Sequence, residues 1–198
     1  MKPKKGRMVS VYYNKYAPTF GYYVEIGAYD GVSKNSTKIL EAQGWNGICV
    51  EAHPERFLKL EKNRTCKCVN GAIWNSTGLV DFALMPEKKR GWDGIVDALA
   101  DRARNYLPQA DIVKINSYTW NDINLPLHIN YLQIDVEGAE LEILKNIDFE
   151  KYNIDYICLE DNEYFHSKDT TYRDFMNISE YELVEELGVD TLYRKKQK

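Results

Sequence analysis

No apolar run in this chain approaches the about 20 residues that a membrane-spanning helix needs. The basic start, Met1-Lys2-Pro3-Lys4-Lys5-Gly6-Arg7, is not followed by the apolar core of a secretory signal. These absences set the expectation of a cytoplasmic protein without membrane insertion, or of a domain excised from a longer one. A surplus of basic residues is also missing. Lysine and arginine number 26 against 30 acids, a net charge of −4, which argues against general affinity for nucleic acid. Cysteine is sparse, with four residues: Cys49, Cys66, Cys68 and Cys158. The spacing of Cys66-Lys67-Cys68 suits neither a zinc knuckle nor a redox Cys-x-x-Cys, so all four read as reduced, structural thiols. Repeats and low-complexity tracts are absent. Four Asn-x-Ser/Thr sequons, at Asn35, Asn63, Asn75 and Asn177, carry little weight without a secretory signal.

What is present is an ordinary globular composition, 44% hydrophobic and 28% charged, in a chain long enough for one domain with a real core. Fifteen tyrosines is a high count, and some are expected to line a surface or cleft. Residues 1–20 read as a basic N-terminal arm, either loose or a short helix packed on the domain that spans 21–198. Strands are expected at 22–26, 47–51, 66–72, 78–85, 111–116, 128–135 and 154–160, with an edge strand at 191–194. Helices are expected at 36–43, where Gly44 closes the helix, and at 54–63, 95–105, 141–146 and 179–187. Residues 86–93 read as a polar loop. The whole insertion, 86–122, is the place to look for acceptor specificity. Alternating strands and helices imply an α/β fold with a mostly parallel sheet covered on both faces.

The first strand runs into Glu25-x-Gly27-x-x-x-Gly31. An acid stands where the dinucleotide fingerprint has its first glycine. The arrangement is instead the pattern of S-adenosylmethionine (SAM) binding in Rossmann-like methyltransferases. Three more strands end in acids: Glu51, Asp135 and Glu160, with Asp161 beside the last. In open α/β sheets ligands bind at these strand ends, near the switch point. Glu51 lies 20 positions beyond Gly31, where an acid can accept both hydroxyls of a ribose.

Three stretches resemble the FkbM family of SAM-dependent O-methyltransferases: residues 21–31, residues 44–51, and Ile134-Asp135-Val136-Glu137-Gly138-Ala139-Glu140. The last block is the most distinctive. The likeness runs from about Gly21 to Tyr193. It implies a Rossmann-like class I fold with a seven-stranded-type sheet, and methylation of hydroxyls on sugars or on glycosylated and polyketide products. Such domains also occur inside larger glycan-building proteins, including those of large algal viruses, which would place a viral member in the host cytoplasm. The acceptor is then a small molecule or a glycan, with deoxyhexoses such as rhamnose or fucose as examples. By the resemblance, Glu25, Gly27, Ala28, Asp30 and Gly31 form the SAM turn, and Ser36 sits near the methionine carboxylate. Glu51 holds the ribose, Ala52 and His53 lie beside the adenine, and Ala72 and Ile73 wall its other side. Asp135 lies near the methionine end and the acceptor.

A sugar hydroxyl is a poor nucleophile, so a base or a metal must assist it. One version makes Asp135 or a nearby acid, Glu160 included, the general base, with His166 as a further candidate in the loop that follows. In the other, Mg²⁺ or another divalent cation binds Asp135, Asp161 and Asn162, a layout similar to catechol-type methyltransferases. FkbM members more often carry a histidine where Asp161 stands. Glu137 and Glu140 read either as catalytic or as first-turn acids favoured by the helix dipole, and His128 as structural. Two other functions compete. An NAD-dependent sugar oxidoreductase or epimerase would use the same architecture, and Tyr164-x-x-x-Lys168 matches its catalytic spacing, although that stretch reads as loop. A non-catalytic nucleotide-binding module is the third.

Overall fold

The computed structural model describes residues 7–33, 37–160 and 171–197. In chain order they form α1 (Arg7–Lys15), β1 (Tyr22–Ile26), α2 (Lys38–Ala42), β2 (Asn46–Glu51), α3 (Pro54–Asn63), β3 (Lys67–Asn70), β4 (Ala72–Ile73), β5 (Gly78–Leu84) and β6 (Gly94–Ile95). Then follow α4 (Asp101–Arg104), β7 (Asp111–Tyr118), β8 (His128–Ile134), α5 (Glu140–Lys145), β9 (Asn153–Glu160), α6 (Thr171–Ile178), β10 (Tyr181–Leu187) and β11 (Asp190–Lys195). The main sheet has seven strands in the order β10-β11-β9-β8-β1-β2-β3. All neighbours are parallel except the pairs that β11 makes with β9 and β10.

Strands buried on both faces need apolar residues at nearly every position, and β2 and β8 supply them. On one face Val24, Ile26, Val50, Leu132 and Ile134 pack against Ile143 and Leu144 of α5 and Met176 of α6. On the other, Tyr23, Cys49, Tyr131 and Cys158 meet Met8, Val9 and Tyr12 of α1, Leu40 of α2 and Leu60 of α3. The basic lead-in is therefore a docked helix. Tyr12 is buried and stacks on Tyr131 with ring centroids 4.5 Å apart.

A second sheet, β4-β7-β5-β6, fills the insertion between β3 and β8. The expected strand at 66–72 is divided between the two sheets. Gly71, at φ 148°, makes the bend, and a Cβ there would lie 2.6 Å from the Asn116 carbonyl oxygen. The expected helix at 95–105 is broken as well. Ala100 gives its N–H to the Glu137 carbonyl at 3.1 Å, so tertiary bonding leaves only the short α4.

The C-terminal expectation is overturned. Residues 179–187 form no helix: α6 stops at Ile178, Glu180 takes a left-handed φ of 64°, and β10 follows. The run Glu-Tyr-Glu-Leu-Val-Glu-Glu-Leu has helix-forming composition, but pairing with β11 wins. Glu182 faces Arg194 across that pair and bonds it at 3.1 Å, while Tyr181 is buried. Consequently β11 is internal, and β10 is the edge.

Candidate active site

The main sheet reverses its order between β1 and β8, and a cleft opens at their C-terminal ends. Ile26, Gly27 and Val50 form its floor. Gly27 is dictated by backbone approach. Its φ is 87°, and a Cβ would lie 1.9 Å from the Asp135 carbonyl oxygen. Its N–H bonds the Val50 carbonyl at 3.0 Å, and the Asp135 N–H bonds the Ile26 carbonyl at 3.0 Å, which ties the three strand ends together.

Glu51 is 5% exposed and lines the cleft. One carboxylate oxygen accepts the Tyr29 N–H at 2.7 Å and the other accepts the His53 N–H at 2.8 Å. Tyr29 reaches it through a left-handed φ of 58°. Burial pushes the Glu51 pKa up to about 7, against the lowering pull of the His53 N–H, the Arg56 charge and the Tyr29 N–H. Ala52, Ala72 and Ile73 form the adjoining wall, and Phe82 and Ile95, register partners in the second sheet, complete it. His53 lends its backbone, while its side chain is not among the wall residues. The His53 Nδ1 is buried and has no hydrogen-bond partner among the described residues, and burial, then the Arg56 charge, lowers the imidazole pKa.

Other residues of the SAM-turn expectation lie behind the cleft. Glu25 alternates with Ile26 along β1 and so faces the opposite side of the sheet. There its carboxylate accepts the Thr37 hydroxyl and pairs with Arg64 at 3.4 Å. Ala28 is buried in the core beneath α2 and α3. Gly31, at φ 77°, leaves room for Leu60 and Arg64 of the α3 end. Asp30 accepts the N–H groups of Val32 and Ser33 at 3.0 and 2.6 Å. These residues shape and brace the turn, and of that set only Gly27 touches the cleft. Ser36 lies outside the described residues.

At the far end Asp135, Val136, Glu137 and Ala139 close the cleft. Carboxylate oxygens of Asp135, Glu137 and Glu160 all lie within 4.8 Å of one another. Arg102, from α4, forms an ion pair with Glu137 and stands 3.7 Å from Glu160. That guanidinium offsets one of the trio's negative charges, and the oxygens that remain are of the kind a hard cation takes. Asp161, Asn162 and His166 lie outside the described residues. Glu140 braces the turn before α5, accepting the N–H groups of Val136 and Gly138 at 3.0 Å each.

Sequence reasoning missed three charged residues. Arg56 and Asp93 form a buried ion pair in the cleft wall, and the Arg56 guanidinium lies 4.4 Å from the Tyr29 ring centroid. Arg102 bridges the acids. Arg56 was within reach, being in the first turn of the helix that follows Glu51. Asp93 and Arg102 come from the insertion, where no pattern links them to the strand ends.

An open sheet with this strand order, one antiparallel member and a cleft at the β1–β8 switch point defines a Rossmann-like class I methyltransferase. The chain belongs to the FkbM methyltransferases: the family model described as "Methyltransferase FkbM domain" matches residues 25–188. Among solved structures it is similar to the methyltransferase FkbM from Methylobacillus flagellatus KT, with a TM-score of 0.60 and 13% identity over 98% of this chain and 48% of that one. The chain thus spans about half the length of that relative. It is also similar to a precorrin-6y C5,15-methyltransferase from Geobacter metallireducens GS-15, with a TM-score of 0.53 and 12% identity over 100% of this chain and 94% of that one. A TehB-like SAM-dependent methyltransferase from Corynebacterium glutamicum gives a TM-score of 0.50 and 9% identity over 95% of this chain and 87% of that one. At such identities these likenesses speak for the fold alone. No curated protein sequence matches the chain. Among the described residues no helix is long and apolar enough to cross a membrane.

Proposed function

We propose that this methyltransferase uses SAM and transfers the methyl group to a hydroxyl of a sugar or glycan, with deoxyhexoses such as rhamnose and fucose the first acceptors to test. The carrying observation is Glu51, a buried carboxylate in the cleft wall whose two oxygens are each fixed by a backbone N–H. Such an acid suits a vicinal diol. The other residues fit the same ligand. Gly27 leaves backbone bare at the floor, and Ala52, Ala72, Ile73, Phe82 and Ile95 offer a small apolar slot for a planar base.

Bound SAM supplies an electrophilic methyl carbon and its own leaving group. The protein then has to orient, exclude water and accept one proton. In this reading Glu51 fixes the ribose, the apolar slot fixes the adenine, and Asp135 takes the proton of the acceptor hydroxyl. Glu137 and Glu160 are held by Arg102 beside it. His166 stays a second candidate for the proton. A divalent cation on Asp135 with Asp161 and Asn162 belongs to a competing version, read out by chelation. We further propose a cytoplasmic setting and a place within a larger glycan-building protein.

Calorimetry with SAM, its demethylated product and NAD tests the cofactor. Binding of SAM and not NAD is expected, and the reverse would remove the proposal in favour of the oxidoreductase. Transfer of labelled methyl to a panel of deoxyhexose glycans tests the acceptor. Full activity in EDTA would remove the cation.

A further inference from the structure

Cys49 is sealed on β2, on the sheet face covered by α1 to α3. Cys66 lies immediately before β3, and its sulfur is 3.5 Å from that of Cys49. Cys68 is the register partner of Cys49 but turns its thiol to the Cys66 carbonyl, at 3.6 Å. The two juxtaposed sulfurs differ in access. Cys66 is partly exposed and lines an open groove with Tyr22, Trp45, Thr65 and Lys67, at the N-terminal ends of β1, β2 and β3 and so at the other end of the strands from the cleft.

They differ in chemistry too. Arg64, two positions before Cys66, is fully buried among Glu25, Glu41 and the Tyr23 hydroxyl. Contact with the Cys49 sulfur, then with Cys68, Tyr23 and the Arg64 charge, lowers the Cys66 pKa, whereas contact with Cys66, then burial, raises that of Cys49, whose own thiol is directed to the Glu25 carboxylate at 3.8 Å. A disulfide needs sulfurs at about 2.05 Å, so the observed gap requires a closure that a residue outside the strand ladder can make. All four cysteines are free thiols, as the expectation of reduced, structural thiols has it; Cys158 is fully buried, whereas Cys66 stands between a buried sulfur and an open groove.

We propose that Cys66 and Cys49 form a two-thiol modification site for small hydroperoxides, with Cys66 the attacking sulfur and Cys49 the resolving one. The Cys66 thiolate attacks the terminal peroxide oxygen and the O–O bond breaks. Cys66 becomes a sulfenic acid, and the alcohol or water leaves with the proton. The Cys49 sulfur then displaces hydroxide from Cys66. An S–S bond forms, the S–O bond breaks, and the Cys49 proton departs in water. Two electrons pass from the sulfur pair to the peroxide.

The experiment exposes the whole chain to hydrogen peroxide, alkylates it under denaturing conditions and maps the peptides. Loss of two of the four alkylatable thiols as a Cys49–Cys66 linkage, restored by dithiothreitol, is the expected result. Cys66→Ser abolishes it, and Cys158→Ser leaves it unchanged. Cys49→Ser leaves a sulfenic acid on Cys66 that dimedone labels. If that variant does not fold, the wild-type map decides alone. A Cys66 that stays alkylatable, a Cys66–Cys68 bond, or linkage only between chains would overturn the proposal.

Discussion

Asp93 and Arg56 form an ion pair with side chains 2% and 6% exposed, and they join the second sheet to the helix that follows Glu51. Asp93 also accepts the N–H groups of Met85 and Gly91, at 2.8 and 3.1 Å, so one carboxylate closes the 85–93 turn and anchors it to α3. The insertion thereby becomes a fixed wall of the cleft rather than a loose excursion.

Removing one partner leaves a buried charge opposite an apolar wall. Asp93→Ala is expected to destabilise the protein by about 3–5 kcal/mol in urea titrations, the usual range for half of a buried pair. Arg56→Met combined with Asp93→Leu should recover much of that loss, because the charge and its partner go together. A double variant no more stable than Asp93→Ala would show that the backbone bonds of Asp93, not the pair, hold the turn.

If Glu51 holds the ribose as proposed, SAM binding is expected to depend on pH. With its pKa pushed up to about 7 by burial, the free protein holds this acid neutral in mildly acid solution. Ribose hydroxyls favour the carboxylate, so SAM affinity should rise as pH climbs from about 6 to about 8. Glu51→Gln should bind at least about tenfold more weakly, as the loss of charge-assisted hydrogen bonds implies, and its affinity should be flat over that range. Stability of the free protein runs the other way. Between the ordinary value of 4.5 and about 7 the folded chain keeps a proton that the unfolded chain has released, so this group's contribution falls as pH rises through that window. Calorimetry and thermal melts at matched pH read both signs.

Two glycines with similar backbone angles should respond differently to alanine. Gly27 has φ 87° and a Cβ would meet the Asp135 carbonyl oxygen at 1.9 Å, whereas Gly44 has φ 83° and nothing within 4 Å. Gly44→Ala is expected to cost about 1–2 kcal/mol, the left-handed penalty alone. Gly27→Ala must in addition push β1 and β8 apart, so it should lower the melting temperature far more and abolish SAM binding. Equal losses would mean that the strand ends give way easily.

Much of this was legible because parallel strands write themselves as apolar runs. Tyr22–Ile26 and Pro54–Asn63 have the bounds that the sequence implied, and of the strand-end acids Glu51 and Asp135 line the cleft while Glu160 stands beside Asp135. The motif was less legible. Glu25 belongs to the acid-glycine pattern, yet alternation along β1 sends it to Arg64 and Thr37, away from the cleft. What a one-dimensional reading cannot hold is pairing between distant segments. Residues 181–187 became a strand only because β11 lies beside them, and Arg102 meets Glu137 and Glu160 only because the insertion folds back.

Asp135 carries the last prediction. Its backbone is committed on both sides, with the N–H on Ile26 and the carbonyl against Gly27, so its side chain is held at the cleft whatever its charge. Asp135→Asn keeps shape and hydrogen-bonding capacity but accepts no proton. If Asp135 is the base, turnover should fall by about 10²–10⁴, the usual weight of a general base, while SAM affinity by calorimetry stays within about threefold, because Glu51 and the apolar slot are untouched. Loss of binding and turnover together would make Asp135 a cofactor-positioning residue. Normal turnover would move the proton to another acceptor, and His166→Ala is then the variant that decides.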